Sequence, residues 1–229
     1  VIDDHILQID GQWSDFLPVG EKQSRPPVFY SRACVTYSAL NILEILFRRK
    51  FNKRYNFSDR FTAKMSGTTK KGNTFFNVGH SIRHDGLLFE KDYPYPPVYS
   101  WDVFYKPIDE PLKLKAKRFG VEWDIHYEIV YFHSPDSWIT ALRYAPLQIA
   151  IYAYGRKENN IYQRVNKKYN HAVVLIGYKK DKYWLIFDSM PPFVKKLAWD
   201  YDFCSYALKY SITKKELPFV KYYFFLTHA

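Results

Sequence analysis

The order of patterns along the chain predicts an α+β protein, helices first and an antiparallel sheet after them. Three observations carry that reading. Residues 33–46 (Ala-Cys-Val-Thr-Tyr-Ser-Ala-Leu-Asn-Ile-Leu-Glu-Ile-Leu) place Ala39, Leu43 and Leu46 at helical spacing, with Ile42 and Ile45 widening the stripe. From Trp123 onward the chain changes to short segments rich in aromatic and β-branched residues. Two of these, 171–178 and 183–188, are joined by Lys179-Lys180-Asp181-Lys182, a hairpin connection.

The 229 residues suffice for one domain with a real core, or for two lobes sharing a site. We read one domain: an extended arm over 1–23, a mainly helical part over about 24–120 and a mainly β part over about 121–229. An aromatic fraction of 20% suits strands and large packing surfaces.

Taken in order, residues 1–30 are broken by Gly11, Pro18, Gly20, Pro26 and Pro27 and read as an arm with little regular structure. The central helix runs over 33–49 and closes on Arg48, Arg49 and Lys50, cations suited to its negative end. Ser58 caps a second, shorter helix. The stretch 67–73 is a polar loop, and a third helix covers 74–84 with Asp85-Gly86 as its stop. Tyr93-Pro94-Tyr95-Pro96-Pro97 is extended, because the residue before a proline is pushed out of the helical region. A strand over 123–132 follows, then a short helix over 136–144 capped by Ser134 or Asp136. Strands are expected over 147–154, 171–178, 183–188 and 219–227.

Several function classes fall away on composition. The formal charge of +11 is spread thinly, in pieces such as Arg48-Arg49-Lys50, Lys179-Lys180 and Lys214-Lys215, without an arginine-rich arm. It reads as a diffusely basic, solvated surface, so no nucleic-acid partner is expected. No apolar run approaches a membrane span and no signal peptide pattern opens the chain, so no membrane partner is expected either. Two cysteines, Cys34 and Cys204, allow at most one disulfide. Such usage fits a reducing compartment such as the cytoplasm, or a phage particle. The first residue is Val1 rather than Met, which suits a processed product or an excised domain. The remaining histidines show no metal-ligand spacing, there is no glycine-rich nucleotide loop, and no cofactor or metal is expected.

Cys34 stands at the first turn of the central helix, where unpaired N–H groups and the positive end of the dipole favour thiolate over thiol. Position alone better suits a small buried hydrophobe, since free cysteines are among the most buried residues. His171, 137 residues downstream, opens an apolar strand, and Asp188 ends the strand paired with it. A hairpin of that length brings the carboxylate beside the imidazole, where it can fix the tautomer and stabilise the imidazolium. Thiol, base and orienting group are what acyl transfer through a nucleophile requires.

At this point the chain resembles the papain-like cysteine peptidases, from about residue 18 to 189. Cys34-Val-Thr-Tyr-Ser-Ala is similar to the family's Cys-Trp-Ala-Phe-Ser-Ala. Phe57-Ser58-Asp59 is similar to Leu-Ser-Glu, and Lys71-Gly72-Asn73 to Asn-Gly-Gly. Gly86-Leu-Leu-Phe-Glu90-Lys-Asp-Tyr93-Pro94-Tyr95 follows Gly-Ile-x-x-Glu-x-x-Tyr-Pro-Tyr, and Pro146-Leu-Gln-Ile-Ala-Ile-Tyr-Ala153 follows Pro-Val-x-Val-Ala-Ile-x-Ala. Asn170-His171-Ala-Val-Val-Leu-Ile-Gly177-Tyr178 and Tyr183-Trp184-Leu-Ile-Phe-Asp188-Ser189 match the motifs around the family's histidine and asparagine. The Cys-to-His interval lies within the ~130–150 residues usual for this group.

The resemblance implies a helical lobe and a β lobe with the active-site cleft between them, and a peptide or protein substrate. It makes Cys34 the nucleophile, His171 the base, Asp188 the orienting group and Gln23, in Pro18-Val19-Gly-Glu-Lys-Gln23, the oxyanion residue. Gly72, Asn73, Asn170 and Ala172 would bind substrate. The departures are specific. Gln23 lies farther from the cysteine than in the family, Val35 stands for a tryptophan and Asp188 for the asparagine. Met190-Pro191 replaces the Trp-Gly that would shield the His–Asp bond, leaving Trp184 or Trp199 to do so. Such losses point to a divergent branch, bacterial or phage-encoded. The expected activity is a cysteine endopeptidase or exopeptidase. The alternatives are a Cys-His-Asp acyl transferase or amidase, and an inactive binding or structural protein within a larger particle.

Overall fold

The computed structural model describes residues 5–216. A single helical turn (Ser14–Phe16) and two short strands, β1 (Ser24–Arg25) and β2 (Phe29–Tyr30), lead into α1 (Cys34–Phe51). Then come α2 (Asp59–Met65), α3 (Phe75–Asp85), α4 (Trp101–Phe104) and α5 (Glu110–Glu122). The second half runs β3 (Trp123–Tyr131), α6 (Pro135–Leu142), β4 (Leu147–Ile151), β5 (Lys157–Glu158), β6 (Ile161–Tyr162), β7 (His171–Lys179), β8 (Tyr183–Phe187), β9 (Val194–Ala198) and β10 (Tyr206–Lys214). Among the described residues one sheet of eight strands has the order β3-β10-β4-β7-β8-β9-β6-β5, antiparallel except where β6 meets β9. The α+β class expected from the sequence is the class observed.

The helices capped by Ser58 and Thr74 and the helix opening at Ser134 form close to where the pattern puts them. Ser58 Oγ accepts from the Phe61 N–H, and Ser134 and Ser137 form a reciprocal capping box. The helix α5 carries only a short apolar stripe, Leu112, Ala116 and Phe119, flanked by the breakers Pro111 and Gly120. Only Ala116 is buried, and Pro111, which resembles a breaker, sits in the first turn where proline is tolerated. The strands β9 and β10 also escape the pattern, while the strand expected over 219–227 lies outside the described residues.

The arm is better anchored than its breakers suggest. Trp13 is wholly buried, donates Nε1–H to the Leu142 carbonyl at 2.8 Å and takes its place in the main core. The cations ending α1 hold this arm: Arg48 donates to the Leu17 carbonyl at 2.8 Å and Arg49 to that of Leu7 at 2.6 Å.

Every residue of α1 from Val35 to Phe47 is buried, so this helix has no solvent face and can only lie inside the molecule. It packs chiefly on β7 and β10. At its far end Phe47 meets Tyr55, Phe57, Phe119 and Trp123 edge-on or tilted; the Phe47 and Trp123 centroids are 4.9 Å apart. Pairs of that geometry add ~0.5–1.5 kcal/mol each beyond their burial.

A close approach fixes α3 against α5. Gly86 ends α3 with φ +79, and a Cβ there would lie 2.1 Å from the Ala116 carbonyl oxygen of α5. Gly86→Ala should therefore destabilise the fold by roughly 1–3 kcal/mol in urea denaturation. An unchanged midpoint would show that the two helices do not press together here.

Candidate active site

Three elements bring the predicted residues together. Cys34 opens α1, whose entry residue Ala33 makes no side-chain cap, so no side chain occupies the helix's first N–H groups. The position of that terminus is set by Gln148 on β4, buried completely. Its amide Nε2 donates to the Val35 carbonyl at 2.8 Å and to Ser38 Oγ at 2.9 Å, and its Oε1 accepts from Tyr210 at 3.1 Å. His171 begins β7, and Asp188 follows β8.

Asp188 reaches the histidine through an irregularity in the hairpin. Near the turn, Lys179 pairs with Tyr183 and Gly177 with Leu185; beyond it, Leu175 pairs with Ile186 and Val174 with Phe187. One extra residue, Ile176, thus lies on the β7 side. Side chains alternate along a strand, so this bulge moves Asp188 opposite Val173, on the same face as His171. Without it the carboxylate would face the other side of the sheet. Gln12 of the arm stands at the bulge, donating to the Tyr178 carbonyl at 3.0 Å and accepting from its N–H at 3.3 Å.

The result is a line of side chains. Nε2 of His171 bonds Asp188 Oδ1 at 2.7 Å, and the same ring makes a side-chain hydrogen bond to Cys34, for which Nδ1 remains. His171 and Asp188 are both buried, whereas Cys34 is partly exposed. Burial pushes the Cys34 thiol up, but the bond and charge of His171 outweigh it and hold the group below its ordinary value. Burial likewise pushes His171 down, and the bonds to Asp188 and Cys34 overcome it, lifting the imidazolium to about 9. Asp188 is penalised by burial yet held below the usual carboxylate range by His171 and then Lys195. Thiolate and imidazolium stabilise one another, which is the state a cysteine nucleophile needs.

A groove of about 470 Å³ opens in front of Cys34 and His171, lined also by Gly72, Asn73, Asn170 and Ala172. The Asn73 side chain is engaged within its own loop, donating to the Ser66 carbonyl and to Ser66 and Thr68 hydroxyls, while Oδ1 accepts from the Thr74 N–H. Asn170 turns its Oδ1 to the Ala153 N–H at 2.9 Å. Gln23 does not line this groove. It is buried beside it, its backbone N–H donating to the Ser189 carbonyl at 3.2 Å and its Oε1 without a hydrogen-bond partner. Cys204 lines the groove as a free thiol, raised by burial, so no disulfide joins the two cysteines.

The expected shield is corrected. Trp184 and Trp199 stack on each other at 4.4 Å, with Trp184 Nε1–H donating to the Trp199 carbonyl. The ring set edge-on to His171, at 6.2 Å, is that of Tyr154, whose hydroxyl also donates to Asp188 Oδ2. Tyr154 and Lys195, the other partners of Asp188, are residues the motifs do not mark. Only Lys195 has a partial trace in the sequence: period 2 over 194–198 puts it on one face with Leu197, and Lys196 on the other, while nothing local marks Tyr154.

A thiol facing a groove, backed by a buried imidazole and carboxylate on an α+β frame, defines a hydrolase or acyl transferase of the cysteine-nucleophile class. Residues 32–191 match the papain family cysteine proteases, and the chain belongs to that family, whose members are thiol-dependent peptide hydrolases. The fold is similar to bromelain from Ananas comosus solved with the E64 inhibitor (17% identity, 87% of this chain, 97% of that one, TM-score 0.64). It is also similar to procathepsin L 3 of the Tenebrio molitor larval midgut (14%, 92% and 72%, TM-score 0.62). A third similar structure is the clostridial cysteine protease Cwp84 after propeptide cleavage (16% identity, TM-score 0.63). There 87% of this chain spans only 56% of the other. No curated protein matches the chain.

The ion pair has a pH signature. Alkylation of Cys34 by iodoacetamide should stay fast at pH values well below the ~8.5 of a free thiol. The imidazolium should be lost as pH rises through about 9. A Cys34 that reacts no faster at pH 6 than a free cysteine, at roughly the ordinary thiolate fraction, would rule the ion pair out.

Proposed function

We propose that the protein cleaves peptide bonds by nucleophilic catalysis, with Cys34 as nucleophile, His171 as acid and base and Asp188 as orienting group. The observation that supports this most is the His171 ring bonded at one nitrogen to Asp188 and at the other to the thiol. The Cys34 sulfur attacks the scissile carbonyl carbon, and the carbonyl oxygen takes up the negative charge. The Cys34 N–H at the uncapped start of α1 receives that oxyanion, a contact typically worth ~3 kcal/mol; Gln23, which stands outside the groove lining, would have to turn its side-chain amide toward the sulfur to add a second donor. Nδ1–H of His171 protonates the leaving amine as the C–N bond breaks, leaving a thioester on Cys34. The now neutral ring takes a proton from water, whose oxygen attacks the thioester. The acid product leaves and the thiolate–imidazolium pair returns.

The substrate backbone lies along Gly72 and Asn73 on one wall of the groove and Asn170 and Ala172 on the other. Because the Asn73 side chain is occupied by its loop, backbone groups of 72–73 make these contacts. Internal and terminal cleavage are separated by comparing peptides blocked at both ends with unblocked ones.

An epoxide of the E64 type should label Cys34 stoichiometrically and abolish peptide hydrolysis. Cys34→Ala should remove both labelling and activity, the latter by at least about a thousandfold, with unchanged thermal unfolding. Hydrolysis that survives Cys34→Ala, or a folded wild-type protein that neither hydrolyses peptides nor takes the label, would refute the assignment.

A further inference from the structure

The orienting group in this chain is an anion with a buried cation behind it. Lys195 lies in β9 opposite Ile186 of β8, and its side chain is 2% exposed. Its Nζ donates to Asp188 Oδ2 at 2.7 Å and to the Met190 carbonyl, and it stands 5.1 Å from the centre of the Tyr154 ring. Asp188 thus accepts at both oxygens: from His171 and the Met190 N–H on Oδ1, and from Tyr154 and Lys195 on Oδ2. A carboxylate with no counter-charge would pull the imidazolium proton more tightly, whereas an amide in its place would pull less.

We propose that Lys195 is a positioning residue for the reaction: it cancels the charge of Asp188, so that His171 meets a carboxylate–ammonium pair that orients the ring much as a neutral acceptor would. This rests on the reading of Cys34 and His171 as the reacting pair, and adds to it a residue that touches neither substrate nor sulfur. Burial holds the Lys195 ammonium below its ordinary value, and the Asp188 carboxylate beside it opposes that pull. The other groups facing this unit are Cys34 from α1 and Tyr154 after β4. Lys157 of β5 acts on Lys195, while Tyr162 and Tyr201 act on Tyr154. Tyr154 is pushed well up by burial and then by Asp188, so it remains a neutral donor.

Three variants separate the charge from the shape: Asp188→Asn, Lys195→Met and the double variant. Two readouts apply to each, the alkaline limb of kcat/KM on a peptide amide and the protonation of the His171 ring followed by nitrogen NMR. Removing the anion alone should move the ring titration down by about one pH unit, and removing the cation alone should move it up by a similar amount. The double variant, which buries no charge behind the ring, should return to near the wild-type value. It keeps the test sharp even if a single variant, left with one unpaired buried charge, fails to fold. A double variant that titrates as low as Asp188→Asn, or a folded Lys195→Met that titrates as wild type and differs only in thermal stability, would overturn the proposal. The NMR readout needs no substrate. A protein that shows these ring titrations and hydrolyses nothing would remove the proposed peptidase mechanism and leave the role of Lys195 standing.

Discussion

Everything at the site depends on where the first turn of α1 comes to rest. A helix buried on every side cannot choose its orientation by turning a polar face to water. Its register against the sheet must come from polar bonds formed in the interior. Gln148 supplies them, holding the Val35 carbonyl and the Ser38 hydroxyl from a central strand while its own oxygen is satisfied by Tyr210. A buried amide left unsatisfied would be heavily penalised, so this clamp admits one placement of the helix and hence one placement of the thiol.

The second constraint is the bulge in the β7–β8 hairpin. The hairpin brings Asp188 near His171, but strand alternation decides which face it occupies, and one extra residue reverses that choice. The arm reaches the same point through Gln12 and enters the core through Trp13. A segment that reads as a surface strap therefore supports the geometry behind the imidazole. The site is assembled from the arm, α1, β4, β10 and the consecutive strands β7, β8 and β9, brought together by the fold.

Asp188 brings a charge into a dry interior, and the structure balances it with His171, Lys195, Tyr154 and a backbone N–H. Buried ions persist where every lone pair has a donor, and this carboxylate meets that condition. The same enclosure sets the protonation states in front of it. An imidazolium lifted to about 9 and a thiol held below its ordinary value are two descriptions of one ion pair at a groove.

Much of this protein was legible in local pattern. Helical spacing around Ala39, Leu43 and Leu46, the Ser58 and Ser134 caps and the strand composition after Trp123 act over a few residues, so the chain's own letters determine them. The family motifs likewise marked Cys34, His171 and Asp188, because each sits at the end of an element with a recognisable signature. What only the tertiary structure decided concerns contacts between segments far apart. Trp13 in the core, Tyr154 rather than a tryptophan against His171, and the choice of Lys195 as the partner of Asp188 have no local cause. A lysine in a strand and a tyrosine in a loop look solvated until the sheet closes around a carboxylate. It is the free energy of that buried charge, absent from any short stretch of sequence, that gives them their places.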